Sequence, residues 1–115
     1  MHELSLCSQI HRIVDRAADG RRVAVVHLEV GQLRQVVPDT LAYCWGLVAE
    51  GTRLAGSVLE VVSVPVTAAC RACEEVPTIE HALVLVCSAC GGSDLTIVTG
   101  EEFLLTSLDL APQEA

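Results

Sequence analysis

Four cysteines fall in two pairs, Cys70 with Cys73 and Cys87 with Cys90, with two residues inside each pair and a 13-residue spacer between the pairs. Each pair sets two sulfurs on one tight turn, and a spacer of that length accommodates a hairpin that returns the second turn to the first. Four thiolates gathered in this way close a tetrahedron around one Zn²⁺ with Zn–S distances of about 2.3 Å. A closed four-thiolate shell keeps no position for water or substrate, so zinc held this way is structural rather than catalytic. The competing chemistry for such pairs is a thiol redox switch.

A second donor set lies at the N-terminus. His2 follows Met1 directly, and a residue as bulky as histidine in second place is expected to keep Met1 and its α-amine on the chain. That amine, the His2 backbone nitrogen and the His2 imidazole Nδ1 can chelate one ion in fused five- and six-membered rings once the amide proton is lost. Cu(II) and Ni(II) displace such a proton near neutral pH and accept the resulting square-planar, nitrogen-rich arrangement. Glu3 supplies the nearest fourth donor, through its amide or its carboxylate. An open, shallow site of this kind suits a carrier that must also release its ion.

The remaining donors read mainly as structural. Cys7 lies one helical turn after Glu3 and is within reach of an N-terminal metal, yet beside an apolar stripe it reads first as a small core residue. Cys44 reads the same way. His27 alternates with valines in a strand, His11 falls on the polar side of a helix, and His81 sits midway between the cysteine pairs, where protonation would link zinc geometry to pH. The chain has neither a GxSxG nucleophile turn nor a phosphate-cradling glycine loop, so no catalytic residue is assigned and the protein is not expected to be an enzyme.

Charge narrows the partners. The chain of 115 residues carries a formal net charge of −8 with 51% hydrophobic residues, enough for a core in one small domain or a domain with a metal-stapled addition. Zinc ribbons that read nucleic acid present a basic face, whereas residues 67–96 contain Arg71 as their one formal cation, and the aromatics Tyr43, Trp45 and Phe103 all lie outside the cysteine array. Nucleic-acid binding is therefore not expected. Polar residues interrupt every apolar run well short of the roughly 20 residues of a membrane span. Glu3, His11, Arg12, Asp15 and Arg16 leave no apolar signal-peptide centre, so a cytoplasmic location is expected.

The elements that must position these donors follow from periodicity. Leu6, Ile10, Ile13 and Ala17 repeat at helical spacing, flanked by Cys7 and Val14, which predicts a helix over 2–19 stopped by Gly20. Residues 22–30 alternate as a strand, with Val23, Val25, His27 and Glu29 on one face and Ala24, Val26, Leu28 and Val30 on the other. Pro38 and Asp39 open a second helix that ends near Gly51, and a strand follows at 57–64. Residues 67–100 turn to cysteines, small residues and short β-like runs at 76–80, 83–86 and 95–98. A unit this small usually needs a metal to fold. Gly91 and Gly92 suit the second cysteine turn, whereas Glu74 at the matching place predicts a less regular first turn. FLLTSLDL at 103–110 reads as a strand returning to the first sheet. The fold class is thus α+β, with residues 1–66 completed by 101–115 and interrupted by a zinc ribbon over 67–100.

The run MHELSLC at 1–7, HLEVGQL at 27–33, PDTLAY at 38–43, CRAC, CSACG and the closing TGEEFLLTSLDL together resemble the HypA/HybF family of nickel metallochaperones. The resemblance covers nearly the whole chain. It implies two helices on a three-stranded sheet with an inserted four-cysteine zinc ribbon, and delivery of Ni²⁺ to the large subunit of [NiFe] hydrogenase together with a nickel-handling GTPase. By the same resemblance His2 is the essential nickel ligand, Glu3 its neighbour in the site, and Cys70, Cys73, Cys87 and Cys90 hold zinc. A homodimer stays open. Many relatives carry an acidic residue just before the position of Pro38, where this chain has Val37, so either Asp39 compensates or the further ligand comes from Glu3 and water. A zinc-ribbon interaction or regulatory module and a thiol redox switch are the alternative readings.

Overall fold

The protein is described by a computed structural model covering residues 2–79 and 85–112, with the side chain of His2 also outside the description. The order is α1 (His2–Ala18), β1 (Val23–Gly31), a 3-10 turn (Gln32–Arg34), α2 (Pro38–Ala49), β2 (Val58–Val64), β3 (Val66–Cys70), β4 (Thr78–Ile79), β5 (Leu95–Thr99) and β6 (Phe103–Leu110). Strands form two three-stranded sheets, ordered β2-β1-β6 and β4-β3-β5. The α+β fold with two helices and small three-stranded sheets is thus present as expected. Contacts divide the chain into two compact units, one of residues 1–28, 36–62 and 104–115, the other of residues 29–35 and 63–103.

In the first unit α1 stops where Asp19 and Gly20 both take positive φ, which no continuing helix allows. The buried stripe of α1 is Cys7, Ile10, Val14 and Ala18. The expected stripe through Ile13 and Ala17 is corrected, since Ile13 is 56% exposed and Ala17 is exposed. Both stripes have helical spacing, and the neighbour of α1 decides between them. The Cys7 thiol donates to the Leu41 carbonyl at 3.3 Å, and the His11 ring lies 5.9 Å from that of Trp45. Contacts from 7 to 41 and from 11 to 45 advance together, so α1 and α2 run side by side in the same direction. Their N-terminal ends open on one side of the unit.

Proline at N1 pre-sets the first turn of α2, and Val37 before it offers no side-chain cap. Trp45 is fully buried, and its indole N–H donates to Ser57 Oγ at 3.0 Å, whose own proton goes to the Leu54 carbonyl at 2.6 Å. His11, placed by the sequence on the polar side of α1, is tied to the residues after α2. The Thr52 hydroxyl spends its one proton on the Ala49 carbonyl at 2.6 Å, so His11 Nε2–H is the donor in the 3.0 Å bond to Thr52.

On β1 the alternation holds, with Val26 and Leu28 buried and His27 on the opposite face. There His27 ties all three strands of its sheet, with Nε2 at 2.9 Å from Asp109 on β6 and Nδ1 at 3.4 Å from Glu60 on β2. The Asp109 hydrogen bond, aided by the charges of Asp109 and Glu60, raises the His27 pKa above 6.5 against a smaller desolvation effect. A raised folded-state value means that this tie contributes fully below about pH 6.5, the unfolded reference, and fades as pH rises through the folded value. In calorimetry, His27→Gln should therefore lower Tm at pH 6 and approach the wild-type Tm at pH 9. A deficit equal at both pH values would contradict the assignment.

The second unit has a small core of Val66, Ala68 and Ile79, with Leu33, Leu95 and Ile97 packed against it. β3 pairs antiparallel with β4 (Thr67 opposite Thr78) and with β5 (Cys70 opposite Leu95), with a register shift at Thr67/Ala68. Of the short runs expected here, 95–98 falls in β5, while in the run at 76–80 Thr78–Ile79 is β4, residues 76–77 are not strand and residue 80 lies outside the described residues. In the run at 83–86, residues 83–84 lie outside the described residues and residues 85–86 are not strand.

Candidate metal centre

β3 ends on Cys70, which delivers the first cysteine turn at the edge of a paired strand. The two turns are built alike. The Glu74 N–H donates to the Cys70 carbonyl and the Gly91 N–H to the Cys87 carbonyl, at 2.9 and 2.7 Å. The Cys70 N–H donates to Glu75 and the Cys87 N–H to Gly92, again at 2.9 and 2.7 Å. Glu74 takes φ 61° and Gly91 φ 76° at matching places. The expectation of a less regular first turn is therefore corrected: Glu74 accepts the left-handed conformation that Gly91 adopts without steric cost, because two hydrogen bonds close the turn around it.

Repeating the turn brings four sulfurs together, all within 4.8 Å of one another. Cys70 and Cys90 Sγ are 3.7 Å apart, and Cys73 and Cys87 Sγ are 3.6 Å apart. A tetrahedron with Zn–S of about 2.3 Å has S···S edges of about 3.8 Å. The four cysteines therefore have the spacing of a zinc tetrathiolate and donors of the right softness. Cys70 and Cys87 are buried, Cys90 is exposed, and the Gly92 N–H points at Cys90 Sγ from 3.4 Å.

Protonation is uneven across the cluster. Burial would raise Cys87, but the N–H groups of Cys90 and Ala89 and the Cys73 thiol outweigh it and hold Cys87 down to about 7. The N–H of Glu75 lowers Cys73, but desolvation and the other three thiols win and push it up to about 12. Metal binding to these residues displaces their thiol protons.

At the other end of the chain, Met1, the His2 side chain and His81 lie outside the described residues. His2 begins α1, and Glu3, half-buried, stands in its first turn. Asp39 stands in the first turn of α2, on the side where both helices begin. Cys7 is not placed as a ligand. It is fully buried, and burial pushes its thiol up to about 12, with Cys44 and Glu3 adding to the effect.

The family model described as "Hydrogenase/urease nickel incorporation, metallochaperone, hypA" matches residues 1–110. The chain belongs to the HypA family. Among HypA relatives, the hydrogenase maturation factor HypA of Trichormus variabilis is 36% identical over 110 residues, 96% of each chain. HypA 2 of Bradyrhizobium diazoefficiens is 39% identical over 113 residues, 96% of this chain and 99% of that one. The fold matches the solution structure of the Ni metallochaperone HypA from Helicobacter pylori with a TM-score of 0.64 at 19% identity, covering 96% and 98% of the two chains. As a HypA-family member the protein is a nickel metallochaperone of hydrogenase maturation with a four-cysteine site suited to structural zinc.

Proposed function

We propose that Ni²⁺ is carried at the N-terminus, bound by the Met1 α-amine, the His2 amide nitrogen and the His2 imidazole, with Glu3 as the nearest further donor. The observation that carries this reading is a family match that begins at residue 1 and so includes the Met1-His2-Glu3 run. Asp39 supports it. Parallel helices present two positive dipole ends on one side, which disfavours a cation unless carboxylates offset them, and Glu3 and Asp39 occupy the first turns there. Val37 offers no donor, so Asp39 takes the part that an acid before Pro38 plays in many relatives.

In the same reading, Cys70, Cys73, Cys87 and Cys90 hold one zinc, and residues 67–100 form a ribbon inserted into a nickel-handling domain of residues 1–66 and 101–115. Zinc supplies cross-linking of the two turns and no open coordination position. The chain works in the cytoplasm without catalysing a reaction, passing nickel through a maturation GTPase to the large subunit of [NiFe] hydrogenase. No described helix is long and apolar enough to cross a membrane. Because the family description names urease beside hydrogenase, delivery assays should include both recipients.

Nickel titration with metal analysis tests the site. Wild-type protein should take up one Ni²⁺ per chain beyond its zinc, and His2→Ala should lose it while keeping zinc. Equal nickel uptake by His2→Ala would overturn the assignment. The chain has no lysine, its seven Lys+Arg residues all being arginine, so the α-amine is the one primary amine an acetylating reagent can modify. Acetylated protein should bind nickel more weakly, and undiminished binding would remove the amine from the site.

A further inference from the structure

Ile13 was expected in the core and instead lies on the face of α1 turned away from it. Among the described residues, Gln9, Arg12, Ile13, Arg16 and Ala17 line a groove of about 650 Å³. Their spacing of three and four residues makes them one face of the helix. Among the described residues, neither Arg12 nor Arg16 has an ion-pair or hydrogen-bond partner. Four of the seven arginines in this acidic chain, Arg12, Arg16, Arg21 and Arg22, crowd into one short stretch at and just beyond the end of α1. An exposed branched apolar side chain between two unneutralised guanidinium groups serves neither the core nor internal charge pairing.

We propose that this face docks an acidic helical segment of a partner protein, with carboxylates on Arg12 and Arg16 and an apolar side chain over Ile13. Charge complementarity selects this occupant. Guanidinium forks donate bidentately to carboxylates, and a helix laid along α1 presents carboxylates at matching three- and four-residue spacing. A nucleic acid would meet a net charge of −8 and no aromatic side chain among the described residues of the groove. A lipid surface would find one isoleucine and one alanine, too little apolar area for insertion. A second copy brings its own −8 against this one.

Helix positions 2, 6, 9, 13 and 16 recur at alternating steps of four and three, so the groove lies in line with backbone position 2. It begins about 10 Å further along the axis at 1.5 Å per residue. A partner seated there lies beside the N-terminus. That consequence, though not the docking itself, rests on the proposed nickel site.

The test is an amide-resolved NMR titration of the full zinc-loaded chain with a soluble helical peptide carrying glutamates at three- and four-residue spacing around a central leucine. Its counterpart carries glutamine in place of every glutamate. The glutamate peptide should shift the amides of Gln9 through Ala17 and bind about tenfold more tightly than the glutamine peptide, the worth of two exposed charge pairs. The double variant Arg12→Gln, Arg16→Gln should erase that difference with Tm unchanged, and Ile13→Ser should weaken both peptides. Absence of shifts at millimolar peptide, or equal binding of both peptides, would overturn the proposal. So would arginine-dependent binding of phosphatidylserine vesicles or single-stranded DNA in preference to the peptide. Arginine-dependent self-association in sedimentation velocity would assign the face to a second copy instead. Nickel uptake measured on the same double variant should match wild type, which separates failure of docking from failure of the His2 site.

Discussion

Replacing Cys87 by serine should cost the protein its zinc and, with it, the ordered second unit. Cys87 is buried at the start of the second turn, has its thiol held down to about 7 by neighbouring N–H groups, and sits 3.6 Å from Cys73 Sγ. Serine keeps the turn and its backbone hydrogen bonds but offers a hydroxyl that stays protonated, so the closed shell drops to three thiolates. Altering a partner that merely supports a metal ligand costs about 10- to 100-fold in affinity, and removing the ligand itself should exceed the upper figure. The consequence for folding is larger than for most point changes. Val66, Ala68 and Ile79 are the buried core of this unit, whereas structural zinc contributes about 10–16 kcal/mol of apparent binding energy to small metal-stapled units. Metal analysis of purified Cys87→Ser should find well below one zinc per chain, and amide dispersion should collapse for residues 63–103. Retention of stoichiometric zinc with native dispersion would show that the cluster is not what holds the unit.

Gly31→Ala should be nearly as damaging, at a residue with no side chain to lose. A Cβ built on Gly31 would lie 2.0 Å from both the carbonyl carbon and the oxygen of Gly100 and 2.5 Å from the Glu101 nitrogen. These are backbone atoms that cannot swing aside. The Gly31 N–H donates to the Glu102 carbonyl at 2.7 Å, and the Leu33 N–H to the Gly100 carbonyl at 2.9 Å, so the two segments are clamped where they cross. Gly100 cannot retreat, because it takes φ 116° and approaches the fully buried Val66, whose Cα would lie 2.9 Å from a Cβ on Gly100. Overpacking of ordinary side chains costs about 1–3 kcal/mol. Backbone against backbone should cost at least about 3 kcal/mol, which places Gly31→Ala among the rare severe substitutions. Urea unfolding monitored by circular dichroism should show a matching fall in midpoint with m unchanged. A loss under about 1 kcal/mol would mean that the crossing relaxes easily.

Elements were more legible than the faces they bury. β6 was predicted at 103–110 and occupies Phe103–Leu110, and the predicted second helix opens on Pro38 as found, because alternation, proline and glycine act locally. The buried stripe of α1 was not, since Leu6-Ile10-Ile13-Ala17 and Cys7-Ile10-Val14-Ala18 satisfy helical periodicity equally. Contact with Leu41 and Trp45 on α2 broke the tie. Glu74 misled for a related reason: left-handed backbone favours glycine intrinsically, but paired hydrogen bonds in a cysteine turn override that preference.

The sequence by itself determined the four-cysteine donor set, since Cys-x2-Cys spacing dictates two sulfurs per turn. It also determined the α+β class, through periods of 3.6 and 2 that any chain obeying backbone sterics must display. Tertiary structure alone decided that residues 29–35 group with the cysteine unit, that Gly31 and Gly100 meet backbone to backbone, and that Glu3 and Asp39 begin parallel helices on one side. Each of these depends on which distant segment becomes the neighbour, and packing chooses that neighbour.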